Sequence, residues 1–307
     1  LCVVRQVTSF KCGGFAVGVS TNHALFDGLS FKIFLQNVAS QAFDDFRPFP
    51  VIPCHDRLLL AARSPPQVTF PHPELLKVKP PENGEKEKGS VFAWEEEELD
   101  FKIFRLSPED IADLKKRVES SQPKPAKVSG FNAITAHVWR CKALSCGAEN
   151  GGGRDRESVV LYAVDIRNRL SPPLPSSYCG NAVVTAYAAA KCWELEEEPL
   201  EKLTERVAEG AARITDEYAR SVIDWGQINK GFPNGEFLIS SWWRLGFDEV
   251  EYPWGRPKYS CPVVYRRKDI ILLFPDIGDS HGVNVLAALP PNEMPKFESL
   301  FYKYLAA

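Results

Sequence analysis

Apolar residues recur with two different periods along this chain, and the switches between them mark out its elements. Residues 1–9 and 14–20 are short apolar runs, the second reading Gly-Phe-Ala-Val-Gly-Val-Ser, and they predict two strands. Over residues 29–43 the spacing lengthens. Phe31, Phe34, Leu35 and Val38 stand three and four apart, which predicts a helix with one buried face. Prolines 48, 50 and 53 then end regular structure, because proline supplies no amide hydrogen and disfavours helix just before itself. Residues 64–98 are rich in proline and charge, with a Glu95–Glu98 run, and read as a solvated connection without chemistry of its own. A strand resumes at 102–106, and Ser107-Pro108-Glu109-Asp110 carries the signature of a helix start. Ser129 opens a helix running to Cys146, and Val159–Val164 alternates as a strand does. Residues 200–225 predict one long amphipathic helix with Leu203, Val207, Ala211, Ile214 and Tyr218 on a single face. Strands near 237–242 and 269–274 and a last helix from 292 complete a mixed α/β pattern.

Composition narrows the classes of function. With 307 residues and 44% apolar content the chain can bury a substantial core, in one large or two medium domains. The 37 basic residues are spread along the chain and the net charge is −3, which argues against a nucleic-acid surface. No apolar run approaches the ~20 residues a membrane helix needs. The eight cysteines form no Cys-x-x-Cys pair, and Cys2, Cys141, Cys179 and Cys192 lie in apolar stretches. Free buried thiols in a reducing cytoplasm are the expectation, with neither zinc nor disulfides.

Where the second strand hands over to the first helix, residues 20–28 read Ser-Thr-Asn-His-Ala-Leu-Phe-Asp-Gly. His23 is the side chain suited to moving a proton near neutral pH, and Asp27 stands where a helix cap belongs. The spacing alone admits two readings: a site, or a capping Asp after a half-buried histidine. No Gly-x-Ser-x-Gly elbow accompanies it, so a Ser-His-Asp triad is rejected. The other histidines read as structural. His55 and His72 lie among prolines, His281 in a turn, and His137 mid-helix beside Trp139.

The remainder of the chain favours the first reading. Taken with Glu251-Tyr252-Pro253-Trp254-Gly255-Arg256-Pro257, the His23-x-x-x-Asp27-Gly28 turn resembles the plant BAHD acyl-CoA-dependent acyltransferases, whose motifs are HxxxDG and, far downstream, DFGWG. Residues 129–140, Asp165-Ile166-Arg167-Asn168-Arg169 through Asn181, and Gly282–Pro290 resemble the family in the same order. The resemblance implies a two-domain α/β fold of the chloramphenicol-acetyltransferase type, mixed sheets with flanking helices. Residues 1–62 would be the remnant of an N-terminal domain carrying the turn, 63–102 a crossover, and 103–307 a C-terminal domain, with part of the stretch after 257 packing back on the first. The family has a long portion before its HxxxD strand, so the first domain is expected to be incomplete, with core surface left exposed.

The resemblance also assigns roles. His23 would be the general base and Asp27 an orienting residue paired with an arginine, from the 167–169 segment or elsewhere. Gly28 would permit close backbone approach or an unusual dihedral, and is equally compatible with being simply the first residue of the helix. Glu251, Trp254 and Gly255 would form a structural motif whose acid pairs with an arginine; Glu and Pro253 depart from the family's Asp and Gly. Ser240 and Trp242 either donate to an oxyanion in the acceptor pocket or simply pack in a strand. Lys127 and Ser129, at a helix start, either hold phosphates of coenzyme A or, for the serine, cap the helix. Arg167 and Arg169 either contact the phosphates or, the reading preferred, bind carboxylates inside the fold. No permanent cofactor is implied. The resemblance implies acyl-CoA as co-substrate and an alcohol or amine as acceptor, with a monomer in the cytoplasm as the expectation. The stretch 242–259 resembles most the branch that moves hydroxycinnamoyl groups onto fatty alcohols or ω-hydroxy acids.

Overall fold

A computed structural model describes residues 4–45, 47–77, 98–120, 128–146, 153–263, 267–277 and 281–306. Strands β1 (Val4–Ser9) and β2 (Phe15–Ser20) form an antiparallel hairpin, and the loop after β2 leads into helix α1 (Gly28–Ser40). The core lies further along the chain. Strands β4 (Asp100–Leu106), β5 (Glu157–Asp165), β6 (Val183–Lys191), β8 (Phe237–Ser241), β9 (Ile270–Pro275) and β10 (Val283–Leu289) build a mixed sheet in the order β4-β10-β9-β8-β5-β6. Its inner pairs β9–β8 and β8–β5 are parallel. The strands β9 and β10 are buried on both faces, whereas β4 buries Phe104 and Leu106 and exposes Phe101 and Ile103.

Helix α3 (Gly130–Ser145) is buried on nearly all sides and packs against α2 (Pro108–Ser120), α5 (Leu200–Ala212) and α7 (Met294–Ala306). Its polar side chains are inside as well, and most find partners. Trp139 donates to Ser158 at 3.0 Å, and Lys142 pairs with Glu293 at 3.1 Å. His137 lies edge-on to Phe301 with Nε2 unpaired, a packing role as expected. No helix of the described residues is long and apolar enough to cross a membrane.

Three features depart from the sequence reading. The long helix of 200–225 is two helices, α5 and α6 (Asp216–Ile228), broken where the Thr215 hydroxyl accepts the Tyr218 amide as an N-cap. Strand β6 was not foreseen, since Val-Val-Thr-Ala-Tyr-Ala-Ala-Ala-Lys is dominated by alanine, a residue that favours helix and is depleted in strands. The stretch 64–77, part of the 64–98 connection expected to be solvated, is docked on α6, and its strand β3 (Leu75–Lys77) pairs with β7 (Gly231–Pro233). His72 and Glu74 are buried there. His72 bonds Glu74 at 3.0 Å and the Ser221 hydroxyl at 2.7 Å, and Tyr218 donates to Glu74 at 2.7 Å. Most of the charged remainder, including Glu95–Glu97, lies outside the described residues.

The hairpin and α1 are sparsely covered. Val7, Phe10, Phe15 and Val17 are exposed, and the apolar face of α1 at Phe31, Phe34, Leu35 and Val38 is half-buried.

Candidate active site

The loop between β2 and α1 is held from within and from outside. Within it, the Asn22 side chain accepts the Ala24 amide at 2.9 Å, and the Leu25 amide bonds the Asn22 carbonyl at 3.0 Å. This tight turn leaves His23 exposed, and its ring makes no hydrogen bond among the described residues. Asp27 is the N-cap of α1 and only 4% exposed. One of its oxygens accepts the Ser30 amide at 2.9 Å, the other the Ala182 amide at 2.9 Å. Arg167 reaches the same carboxylate at 2.8 Å and bonds Asp165 at 2.9 Å through its other terminal nitrogen. Buried charges persist where they are paired and hydrogen-bonded, and both conditions hold here. With its oxygens occupied in this way, Asp27 pairs with Arg167 and not with the imidazole.

Residues 179–182 form the platform beneath the turn. Ser30 Oγ accepts the Gly180 amide at 2.9 Å and donates to the Gly180 carbonyl at 2.8 Å. Asn181 Nδ2 donates to the His23 carbonyl at 2.5 Å. Arg57 spans the two segments, donating to the Cys179 carbonyl at 2.5 Å and the Leu25 carbonyl at 3.4 Å. A Cβ on Gly180 would fall on the Arg57 guanidinium, so glycine is what admits that close approach. Ser30, Asn181 and Arg57 had no assigned role in the sequence. Their only signal was that Asn181 stands in a stretch resembling the family.

A second segment, 242–249, covers the start of α1. The Leu245 side chain lies where a Cβ on Gly28 would be. Lys32 pairs with Glu249 at 2.7 Å, and Phe247 sits edge-on to both Phe31 and Trp242, with centroids 5.7 and 5.2 Å away. Trp242 is half-buried, and its amide bonds the Leu273 carbonyl at 2.6 Å; Ser240 is half-buried on β8 with its hydroxyl unbonded among the described residues. Trp243 is buried and packs on Gly130. One segment thus touches the first turns of both α1 and α3.

Ser129 is the N-cap of α3 by backbone, but its hydroxyl makes no capping bond and is exposed, so the capping alternative fails for its side chain. Lys127 lies outside the described residues. Arg169 departs from its expectation. It donates to the carbonyls of Ala211 and Ile214 at 2.7 and 2.8 Å, serving the open end of α5 instead of a carboxylate.

The Glu251–Pro257 element also differs from the expected ion pair. Glu251 is exposed and joins no arginine among the described residues. The element is a turn closed by the Gly255 amide on the Tyr252 carbonyl at 2.9 Å. Pro253 fits its second position, where a fixed φ and a missing amide hydrogen cost nothing. Gly255 takes φ +101°, which keeps glycine necessary at the position the family also fills with it. Trp254 stacks on Tyr252 at 5.3 Å and meets Phe15 of β2 edge-on at 5.4 Å, so aromatic contact ties the turn to the hairpin. Burial pushes the Cys179 thiol up, as it does those of Cys141 and Cys192.

Comparisons with known proteins agree with this frame. Residues 2–304 match the model described as the Transferase family. The chain is 61% identical over 301 residues to Acyltransferase GLAUCE of Arabidopsis thaliana, covering 97% of this chain and 65% of that relative. It is 33% identical to the fatty alcohol:caffeoyl-CoA acyltransferase and 32% identical to the omega-hydroxypalmitate O-feruloyl transferase of the same plant, over 97% of this chain in each case. The chain spans 66% and 64% of the length of these two. Among solved structures, vinorine synthase superposes with a TM-score of 0.70 at 23% identity, over 97% of this chain and 65% of that one. F. graminearum TRI101, crystallised with coenzyme A and deoxynivalenol, gives 0.73 at 14% identity, over 97% and 68%. These two carry the chloramphenicol-acetyltransferase-like fold and establish the fold alone. The exposed histidine over a buried Asp–Arg pair, the order of the downstream motifs and the family match together place this chain in the Transferase family, the BAHD acyltransferases.

Proposed function

We propose that the protein transfers an acyl group from a coenzyme A thioester to an alcohol, with His23 as the general base. The observation that carries this reading is the contrast at the turn. The His23 ring is exposed and unbonded while its backbone and Asp27 are fixed from four sides. A base must be free to meet its substrate yet held in place when it does. The acceptor hydroxyl gives its proton to a His23 ring nitrogen as its oxygen attacks the thioester carbonyl. The tetrahedral oxyanion then collapses, breaking the C–S bond. The imidazolium returns the proton to the departing thiolate, and free coenzyme A leaves without a covalent acyl-enzyme. Asp27, through Arg167, aims the turn and takes no proton. Ser240 and Trp242 serve the oxyanion and the acceptor pocket, and Ser129 with Lys127 the phosphates of coenzyme A. For Ser129, the hydroxyl left free by the missing cap supports this assignment. Trp254 and Gly255 hold the channel wall, the indole by packing and the glycine by its turn; Glu251 takes no part in this.

The donor is a hydroxycinnamoyl-CoA and the acceptor a fatty alcohol or ω-hydroxy acid, read from the relatives named for those substrates at 33% and 32% identity. Domains of residues 1–62 and 103–307, joined by 63–102, would form the substrate channel between them, in a monomer. The free thiols of the described cysteines fit the cytoplasm.

The test is thiol release by the full-length protein from caffeoyl-, feruloyl- and acetyl-CoA, with a long-chain alcohol or a polyamine, beside His23→Ala. Turnover that collapses in the variant, with caffeoyl- or feruloyl-CoA and the alcohol preferred, is the expected result. Equal turnover in both overturns the mechanism. Preference for acetyl-CoA or the polyamine overturns the substrate assignment. Folded protein that binds coenzyme A and releases no thiol points to a binding partner and away from an enzyme.

A further inference from the structure

We propose that Asn181 is a positioning residue for His23, with Arg57 as its second support. The inference rests on the general-base reading and adds what holds that base. Four consecutive residues, 179–182, each touch the histidine turn or its strap. The Cys179 carbonyl receives Arg57, Gly180 exchanges two bonds with Ser30, Asn181 holds the His23 carbonyl, and the Ala182 amide holds Asp27. The Asp27–Arg167 pair fixes the helix end of the turn, four residues beyond the histidine. The imidazole, however, hangs from the strand end. There the carbonyls of His23 and Leu25 point outward from the turn, and Asn181 and Arg57 are the donors that reach them among the described residues. Removing the Asn181 donor leaves the His23–Ala24 peptide plane held, among the described residues, at its amide side alone, where the Asn22 side chain accepts the Ala24 N–H. Rotation of that plane swings the ring, while Asp27 and the helix stay where they are.

The carboxamide chemistry is specific. A carboxylate at 181 cannot donate and repels the carbonyl oxygen, whereas its size is unchanged. Asn181→Asp therefore removes the support without opening a cavity. Displacement of a catalytic group by ~1 Å costs on the order of 10²-fold in rate. The expected result is kcat lower by roughly 10- to 100-fold. KM for the acyl-CoA should stay within about twofold, and Tm should be little changed, as for a half-buried site that packs no core.

Two further readings make the test decisive. In a His23→Ala background Asn181→Asp should take away nothing more, because residues acting through one group are not additive. In 15N-labelled protein the His23 ring signal, identified by its absence in His23→Ala, should shift in Asn181→Asp while those of His55, His72, His137 and His281 remain. Asn181→Ala removes the donor without adding charge and should give the same displacement, which covers the case where the aspartate disturbs folding. An unmoved His23 signal in both variants overturns the inference, as does an equal loss of rate with and without His23. If the wild-type protein shows no turnover with any donor and acceptor, the functional reading fails, and the ring signal still decides the role of Asn181.

Discussion

Asp27 and Arg167 are a buried ion pair whose removal leaves a charge stranded. Asp27→Ala would leave Arg167, buried, with Asp165 as its remaining carboxylate, and would strip the Ala182 and Ser30 amides of their acceptor. Breaking such a pair costs about 3–5 kcal/mol, to be read as a lower urea midpoint at unchanged slope. A change under 1 kcal/mol would show that the turn is held by the platform instead. His137 supplies a prediction in pH. Burial, aided by the charges of Arg117 and Arg140, pushes its imidazole down from 6.5 to about 3. Above 6.5 the ring is neutral whether the chain is folded or not. As pH falls below that value the unfolded chain takes up a proton that the folded one refuses, so stability is lost progressively toward about 3. The slope approaches ~1.4 kcal/mol per pH unit for one group. His137→Leu should flatten the fall in urea midpoint between pH 6 and pH 4; an unchanged slope would assign the acid sensitivity to the carboxylates.

At the scale of elements, Ser221 is one of the groups on α6 that dock residues 63–77. Its hydroxyl receives the Thr69 amide at 2.9 Å and the Phe70 amide at 3.3 Å and meets His72 at 2.7 Å. Arg63 adds Asp224 at 2.6 Å and Glu217 at 2.9 Å, though the latter pair is exposed and weak. Ser221→Ala leaves the buried His72 ring short of a partner, at a cost of about 1–3 kcal/mol, and also takes the acceptor from the less buried Thr69 and Phe70 amides. The expected outcome is faster cleavage within 63–77 by a protease at low dose, with the sheet intact. Cleavage that begins elsewhere would put the weak point outside this strap. The same elements show why local pattern misled. Thr215-Asp216-Glu217 is a cap signature inside an apparently continuous stripe, and the apolar face of 200–225 survives because two successive helices bury the same side. Alanine in β6 is tolerated because Ala186, Ala188 and Ala190 face the packed helices, where small side chains allow close approach.

For the whole molecule, the proposed direct transfer requires both substrates to be present together, because the acceptor attacks the thioester itself. Initial rates should therefore give intersecting double-reciprocal lines as donor and acceptor are varied; parallel lines would mean an acyl-enzyme and would sink the direct-transfer scheme. What the sequence by itself determined is local: the strand–turn–helix around His23 and the capping place of Asp27, which follow from side-chain type and short spacing acting over a few residues of chain. The family was legible in the order of its motifs along the chain. Only the tertiary structure decided which groups hold the turn. Ser30 and Gly180 meet across 150 positions, and His23 and Asn181 across 158. It also turned His72 and Glu74 from loop residues into a buried latch, and replaced the expected Glu251 ion pair with aromatic contact from Trp254 to Phe15. A hydrogen bond is satisfied by whatever donor the fold brings within about 3 Å, and that depends on how distant segments pack, not on their spacing in the chain.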